Sequence, residues 1–128
     1  MPVPSLDLLD ETFLVARPER VAAEVARPDR WASWWPDLRL RVFMDRGGQG
    51  IRWSVAGALT GSSEIWLEPV LDGVLLHYYL RADLPAGSRL RVDAHRRDRV
   101  LAWKVHAWAL KRELEGARRP GCPPVGEE

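Results

Sequence analysis

The stretch Val100-Leu-Ala-Trp-Lys-Val-His-Ala-Trp-Ala-Leu-Lys-Arg-Glu-Leu114 decides the fold. Apolar residues recur in it at steps of three and four, at Val100, Trp103, Ala107, Leu110 and Leu114. This period predicts an amphipathic helix, with Leu101 and Trp108 widening the apolar stripe and Gly116 ending the helix. Two tryptophans and three leucines on one stripe need a broad apolar surface, so we expect the preceding chain to provide it.

Composition limits the possible functions. The chain has 128 residues, a net charge of +1, seven tryptophans and a single cysteine, Cys122. These values predict one domain with no internal disulfide, no metal site, no cofactor and no charge field for nucleic acid. No signal peptide or membrane-length apolar run is visible, which predicts a soluble cytoplasmic protein without stable membrane insertion.

The remaining elements follow from prolines, glycines and alternating residues. One strand is predicted within residues 6–17, helices at 18–26 and 28–35, and further strands at 38–45, 51–56, 63–70 and 74–82. Residues 88–94 fit either an edge strand or the start of the last helix, which Ser88 could cap. We expect a single domain over residues 1–117 and a disordered tail over 118–128.

This order predicts an α+β domain in which an antiparallel sheet of about five or six strands grips a long C-terminal helix. Family-like motifs occur at Pro18-Glu-Arg-Val21, Arg27–Pro36, Gly61–Pro69, Asp72-Gly73-Val74 and Trp103–Glu115. On these motifs, residues 6–116 resemble the START/Bet v 1-like (SRPBCC) superfamily, which includes polyketide cyclase/dehydrase-like proteins. The resemblance implies the helix-grip fold and leaves the substrate open.

The resemblance also identifies one departure and one expected site. The usual fold has two further strands before the last helix, whereas residues 84–94 leave room for one at most, which suggests a smaller sheet. A hydrophobic ligand is expected between sheet and helix. Its expected contacts are Trp35, Trp53, Val55, Ile65, Leu67, Leu76, Tyr78, Leu80, Trp103, Ala107 and Leu110. Trp53 and Trp103 either line this pocket or fill it.

The Asp72-Gly73 pair predicts a hairpin turn between two of the strands. A two-residue turn there would place Glu68 opposite His77, Trp66 opposite Tyr79 and Glu64 opposite Arg81. If this face lines the pocket, Glu68 and His77 form a general acid/base pair and Arg81 binds a substrate oxygen. If the other face does, these charges stay in solvent, which avoids the cost of burying them.

Tyr78 lies on the apolar face of the same hairpin, where its hydroxyl could bind a ligand, act as an acid, or reach a buried backbone group. The sequence therefore supports three hypotheses. The first is a protein that binds a polyketide, lipid or aromatic metabolite. The second is a cyclase or dehydratase that uses Glu68–His77 or Tyr78. The third is an interaction module that forms a homodimer through the Trp66–Tyr79 face.

Overall fold

The computed structural model describes residues 4–85 and 91–116. Its elements, in chain order, are β1 (Leu6–Leu14), α1 (Pro18–Val25), α2 (Pro28–Trp34), β2 (Leu38–Asp45), β3 (Gly50–Gly57), β4 (Thr60–Val70), β5 (Gly73–Asp83) and α3 (Val92–Glu115). A single 3₁₀ turn at Gly47–Gln49 joins β2 to β3. The predicted α+β class is confirmed. Ser88 and the predicted tail lie outside the described residues.

The strands form one antiparallel sheet in the order β1-β5-β4-β3-β2. The helix α3 packs beside β1 and over one face of the sheet, and the two short helices follow β1. This is the predicted helix-grip architecture. The described residues hold five strands, at the lower end of the predicted number, and residues 92–94 are helical.

Prolines set the two short helices that cover one end of the sheet. Pro18 and Pro28 each occupy the first turn of their helix, where a missing N–H costs nothing and the fixed φ favours helix. Pro36 follows α2 and prevents its continuation. Trp35, between α2 and Pro36, takes a non-helical conformation with φ −135° and ψ 69°. As a result, the chain turns at Trp35 and its side chain enters the core.

The core lies between the sheet and α3. On the hairpin of β4 and β5, Ile65, Leu67, Leu76, Tyr78 and Leu80 point inward and are buried. From the helix, Trp103, Ala107, Leu110 and Leu114 meet them. Alternating residues on a strand face opposite sides, so the charged residues of the same two strands lie on the outer face.

The buried stripe of α3 is narrower than its apolar content suggests. Leu101 and Trp108 were expected to widen that stripe, and this expectation is wrong, because both side chains are at least half exposed. At 3.6 residues per turn they lie on the side of the helix away from Trp103. Two lysines lie beside the buried stripe instead. Lys104 donates to the carbonyl of Glu11 in β1 at 2.8 Å, and Lys111 donates to the carbonyl of Phe13 in β1 at 2.6 Å.

The register of the β4–β5 hairpin differs from the prediction by two residues. Its turn consists of Leu71 and Asp72, and Val70 pairs with Gly73. Glu68 is therefore opposite Leu75, and Trp66 is opposite His77. The glycine is required within the strand, because a Cβ on Gly73 would collide with the carbonyl oxygen of Leu14 in β1. Leu71 takes the positive φ of the turn, at 51°.

An ion-pair cluster ties the three helices together. Arg30 of α2 contacts Glu24 of α1 at 2.6 Å and Glu113 of α3 at 2.7 Å. Burial by itself would raise the pKa of Glu24, but hydrogen bonds and charge from Arg30 and Arg27 outweigh it and leave the pKa below its ordinary value. Glu24 is thus an anion at neutral pH, and the cluster fixes α2 against α3.

Candidate functional site

Six aromatic rings form one continuous cluster between the sheet and the helices. They are Trp31, Trp34 and Trp35 from α2 and its end, Trp53 from β3, Tyr78 from β5 and Trp103 from α3. Neighbouring ring centroids are 4.7–5.5 Å apart. At this spacing each pair adds about 0.5–1.5 kcal/mol beyond simple apolar burial.

Trp35 is the centre of this cluster. Its ring stacks on Tyr78 with centroids 5.4 Å apart and planes at 19°, and on Trp103 at 5.5 Å and 17°. The edge of Trp53 meets it at 5.5 Å. The rings of Tyr78 and Trp103 are themselves only 4.7 Å apart, so the three ring centroids form a triangle and the Trp35 indole packs against both rings at once.

The structure places the whole set of predicted ligand contacts on the inner side of the sheet. Trp53, Tyr78 and Trp103 are 0%, 2% and 1% exposed. The remaining members are also buried, namely Trp35, Val55, Ile65, Leu67, Leu76, Leu80, Ala107 and Leu110. Of these residues, the structure brings Trp35, Trp53, Tyr78 and Trp103 together in the aromatic cluster. A ligand reaches them only if a ring moves, so ligand contact at these residues stays a prediction.

The indole N–H groups of the cluster differ in whether they have a hydrogen-bond acceptor. Trp31 donates to the carbonyl of Val25 at 2.6 Å, and Trp103 donates to Asp10 at 3.1 Å. The N–H of Trp53 is buried and has no hydrogen-bond acceptor among the residues that the structure describes. An unpaired buried donor costs about 1–3 kcal/mol. Trp53 therefore offers a hydrogen bond that the apolar cluster leaves unused.

The hydroxyl group of Tyr78 is, after the N–H of Trp53, the second polar group that a ligand in the cluster could contact. Burial raises the pKa of its phenol well above the ordinary value, and the opposing effects of Arg99 and Trp35 do not offset it. The phenol is therefore neutral at physiological pH. A neutral phenol can donate a hydrogen bond to a ligand oxygen but cannot serve as a base.

A groove of about 440 Å³ leads toward the cluster between the end of α2 and the first half of α3. Its lining consists of Ser33, Trp34, Pro36, Asp37, His95, Asp98, Arg99, Ala102 and His106. Arg99 spans the groove and binds Asp37 through two hydrogen bonds, one of them 3.0 Å long. This ion pair joins α3 to the Trp35-Pro36-Asp37 segment, so it fastens the chain that carries the central ring.

Sequence reasoning missed Arg99, Asp37 and Trp34 as residues of this site. The segment before Val100 is rich in arginine, a composition that is typical of a solvated helix surface. One signal was present, because Arg99 lies about one turn before Trp103 and so shares its side of the helix. For Asp37 no sequence signal was available, because its partner is 62 residues away in the chain.

The candidate acid/base pair lies on the other face of the sheet. His77 is 7% exposed and its ring is sandwiched between Trp66, 4.3 Å away, and Tyr79, 6.3 Å away. Its Nε2 atom is 2.9 Å from Glu68, and its Nδ1 atom is 3.7 Å from Glu11. The sheet therefore separates Glu68 and His77 from Tyr78, and both imidazole nitrogens already face a carboxylate.

The other predicted charge contacts also change with the register. Glu64 pairs with Arg46 at 2.9 Å and with Arg52 at 3.0 Å, whereas Arg81 lies 3.6 Å from Asp7. Within residues 4–85 and 91–116, no three His, Cys, Asp or Glu side chains cluster so as to hold a metal ion. In this part of the chain, no helix is both long enough and apolar enough to cross a membrane.

Comparison with solved structures identifies the fold. The solution structure of the Aha1 dimer from Colwellia psychrerythraea matches with a TM-score of 0.64 and 15% identity, over 89% of this chain and 99% of that one. A Polyketide_cyc-like protein from Corynebacterium glutamicum matches with a TM-score of 0.60 and 17% identity, over 93% and 99%. The di-domain ARO/CYC StfQ from the steffimycin biosynthetic pathway matches with 0.59 and 14%, over 84% and 51%.

The chain therefore has the helix-grip fold of the START and polyketide cyclase-like proteins, as predicted from its sequence. No protein-family model matches the sequence, and no curated protein matches it. At these identities the similarity establishes the fold, and the function has to be argued from the aromatic cluster itself.

Proposed function

We propose that the protein binds a planar, mainly apolar small molecule that carries one hydrogen-bond acceptor, between the sheet and α3. The observation that carries this proposal is the buried N–H of Trp53, which has no acceptor among the described residues. A carbonyl or hydroxyl oxygen on the ligand would complete that hydrogen bond. Polyketides and aromatic metabolites combine flat apolar rings with such oxygens, so they fit the site better than a plain hydrocarbon.

In this proposal the ligand takes the place of the Trp35 ring. That ring stacks on Tyr78 and Trp103, and a flat ligand would make the same two contacts. Trp35 is the ring best suited to leave, because it lies outside α2 in the short connection that precedes β2. Apolar burial of the ligand, about 25 cal/mol per Å², must exceed the cost of exposing the indole.

The groove beside α3 supplies a path for this exchange. Opening requires that Asp37 separate from Arg99, since their ion pair holds the connection that carries Trp35. Side chains in this pair are partly solvated, at 19% and 51% exposure, so the pair is weak enough to break on a fast timescale. Arg99 and Asp37 thus form the latch of the proposed site.

The alternative function, a cyclase or dehydratase, would rest on Tyr78 in this geometry. Its neutral phenol lies in the aromatic cluster and could donate a proton or hydrogen bond to a bound ketone. Glu68 and His77 lie across the sheet from that space, and so would not reach a ligand held there. Asp37 is the carboxylate close enough to influence Tyr78, but it is held in an ion pair by Arg99, which makes simple binding the better-supported function.

The experiment compares two ligands that differ only in the acceptor, α-tetralone and the hydrocarbon tetralin. Binding to the wild-type protein and to Trp53→Phe is measured by calorimetry and by the change in tryptophan fluorescence. We expect tetralone to bind the wild type more tightly than tetralin, and Trp53→Phe to remove about tenfold of that preference. Tetralin affinity should change much less.

Trp31→Phe is the matched control, because it also shortens a ring of the cluster but removes an N–H that already has an acceptor. It should leave the preference for tetralone intact. The proposal is contradicted if neither compound binds at concentrations up to about 1 mM. It is also contradicted if Trp31→Phe and Trp53→Phe reduce the preference equally.

A further inference from the structure

The side of α3 that faces away from the sheet is also apolar. Leu101, Val105 and Trp108 follow one another at steps of four and three residues, and their exposed fractions are 59%, 62% and 50%. A helix surface in solvent ordinarily carries polar residues. Three large apolar side chains in a row are instead typical of a surface that another protein covers.

Two residues of opposite charge lie on this outward face at equal distances from Val105. Seven residues before Val105 lies the exposed Asp98, and seven residues after it lies the exposed Arg112. Seven residues make nearly two helical turns, so both charges share the side of Val105. The described ion pairs of the structure include neither of these two side chains. In line with Val105, the face thus carries an acidic residue at one end and a basic residue at the other.

We propose that this outward face of α3, from Asp98 to Arg112, is the interface of a homodimer in which two copies of α3 pack antiparallel. A two-fold axis through Val105 would place residue pairs whose numbers sum to 210 opposite each other. Asp98 would then face Arg112 of the second copy, and Arg112 would face its Asp98. Antiparallel copies therefore satisfy both charges, whereas parallel copies would place like charges together.

The same symmetry matches side-chain sizes across the interface. Leu101 would face Ala109 of the second copy, and Trp108 would face its Ala102. Both alanines are exposed, so they leave room for the larger side chains. Large residues opposite small ones are what allow two helices to interdigitate closely. Two antiparallel copies of this helix face are therefore complementary in both charge and side-chain size.

Two other surfaces fit a second copy less well. The edge strand β2 exposes Val42, Phe43 and Met44, but a bulge interrupts its ladder there and arginines precede it. Bulges and charges on an edge strand oppose pairing with another strand. On the outer face of the sheet, the rings of Trp66 and Tyr79 are half-buried and already stacked on His77. The face of α3 is the apolar surface without such obstacles.

Sedimentation velocity over a range of concentrations tests the dimer. The wild type should shift from 14.6 kDa toward twice that mass with a dissociation constant in the micromolar range. Asp98→Arg and Arg112→Asp should each weaken the dimer by about tenfold or more, because each places like charges at both ends of the interface. The double variant Asp98→Arg/Arg112→Asp should restore dimerisation, since it exchanges the two charges.

Asp93→Arg and Arg96→Asp are matched controls, because they make the same charge changes at exposed positions of α3 outside the proposed face. Both should dimerise like the wild type. A thermal melt of each variant verifies that the domain is folded. A strictly monomeric wild type overturns the proposal, as does a dimer that is indifferent to Asp98→Arg or that the double variant does not restore.

Crosslinking locates the interface independently. Val105→Cys in a Cys122→Ser background should be joined into a covalent dimer by a short bismaleimide, because the two-fold axis brings the two thiols together. Leu71→Cys is the control, since Leu71 is 97% exposed at the β4–β5 turn. Equal crosslinking of both variants, or crosslinking of Leu71→Cys alone, contradicts the proposed axis.

Discussion

Strands β4 and β5 carry aromatic rings on both faces, and the two groups differ in their polar atoms. On the inner face, Tyr78 and the neighbouring tryptophans form a closed cluster in which the N–H of Trp53 has no acceptor within the described part of the chain. On the outer face, His77 lies between Trp66 and Tyr79, and each imidazole nitrogen faces a carboxylate.

This difference separates a site that can accept a ligand from one that is already complete. In the inner cluster the N–H of Trp53 has no acceptor among the described residues, so a ligand that supplies the acceptor improves it. In the outer cluster His77 already has a hydrogen bond with Glu68 and the charge of Glu11 nearby, and a ligand there would have to compete with both carboxylates. We therefore interpret the outer cluster as structural.

Truncation should produce the largest contrast between the two clusters. Trp103→Ala removes a ring that is 1% exposed and should lower the free energy of unfolding by about 3–5 kcal/mol. Trp66→Ala removes a half-buried ring from the outer cluster and should cost about 1–2 kcal/mol. Urea denaturation followed by circular dichroism measures both. Equal losses would mean that the outer cluster contributes to the core as much as the inner one.

Alkaline pH should distinguish the two tyrosines. The folded-state pKa of Tyr78 is raised, so its stabilising contribution is complete below the unfolded pKa of about 10 and declines as pH rises above it. The decline should be about 1.4 kcal/mol per pH unit in wild type and in Tyr79→Phe. Tyr78→Phe should show a smaller slope. Parallel stability curves for all three proteins between pH 9 and 11 would refute the assigned burial of Tyr78.

Breaking the latch should change rates more than stability. Arg99→Gln removes the ion pair with Asp37, which is partly solvated and should contribute at most about 1 kcal/mol. Stopped-flow fluorescence should show α-tetralone entering and leaving about threefold faster or more, with little change in affinity. Arg97→Gln, at an exposed position of α3, is the control. Unchanged rates in Arg99→Gln would argue against entry beside α3.

The smallest effect is expected from the outer acid/base pair. Glu68→Gln keeps the shape of the side chain and should cost less than about 1 kcal/mol of stability, since Glu68 is 42% exposed. Affinity for α-tetralone should stay within about twofold of the wild-type value. A large loss of binding in Glu68→Gln would bring the outer cluster back as the ligand site.

The fold followed from local patterns, and its details depended on contacts between distant residues. Alternating residues and prolines predicted five strands and three helices, because these signals act within a few positions. The β4–β5 register was wrong because Gly73 is required by Leu14 of β1, a neighbour that no local pattern indicates. A glycine that a turn requires and a glycine that a close neighbouring strand requires cannot be distinguished from the sequence alone.

The candidate site was predictable in part for the same reason. The sequence placed Trp35, Trp53, Tyr78 and Trp103 on the same side of the sheet as expected ligand contacts, and these four rings do lie together. The sequence could not predict that the N–H of Trp53 has no acceptor among the described residues, because this depends on how the neighbouring rings pack around it. The apolar outward face of α3 was missed because Leu101 and Trp108 were assigned to the buried stripe, although both side chains point away from that stripe.

The position of α3 in the chain has a consequence for synthesis. All five described strands precede this helix, so the sheet leaves the ribosome before its cover does. Until α3 emerges, the inner rings are in water and the edge of β1 lacks the lysines that occupy its carbonyl groups. Nascent chains at this stage present both an apolar face and a free strand edge, which are the two features that promote aggregation.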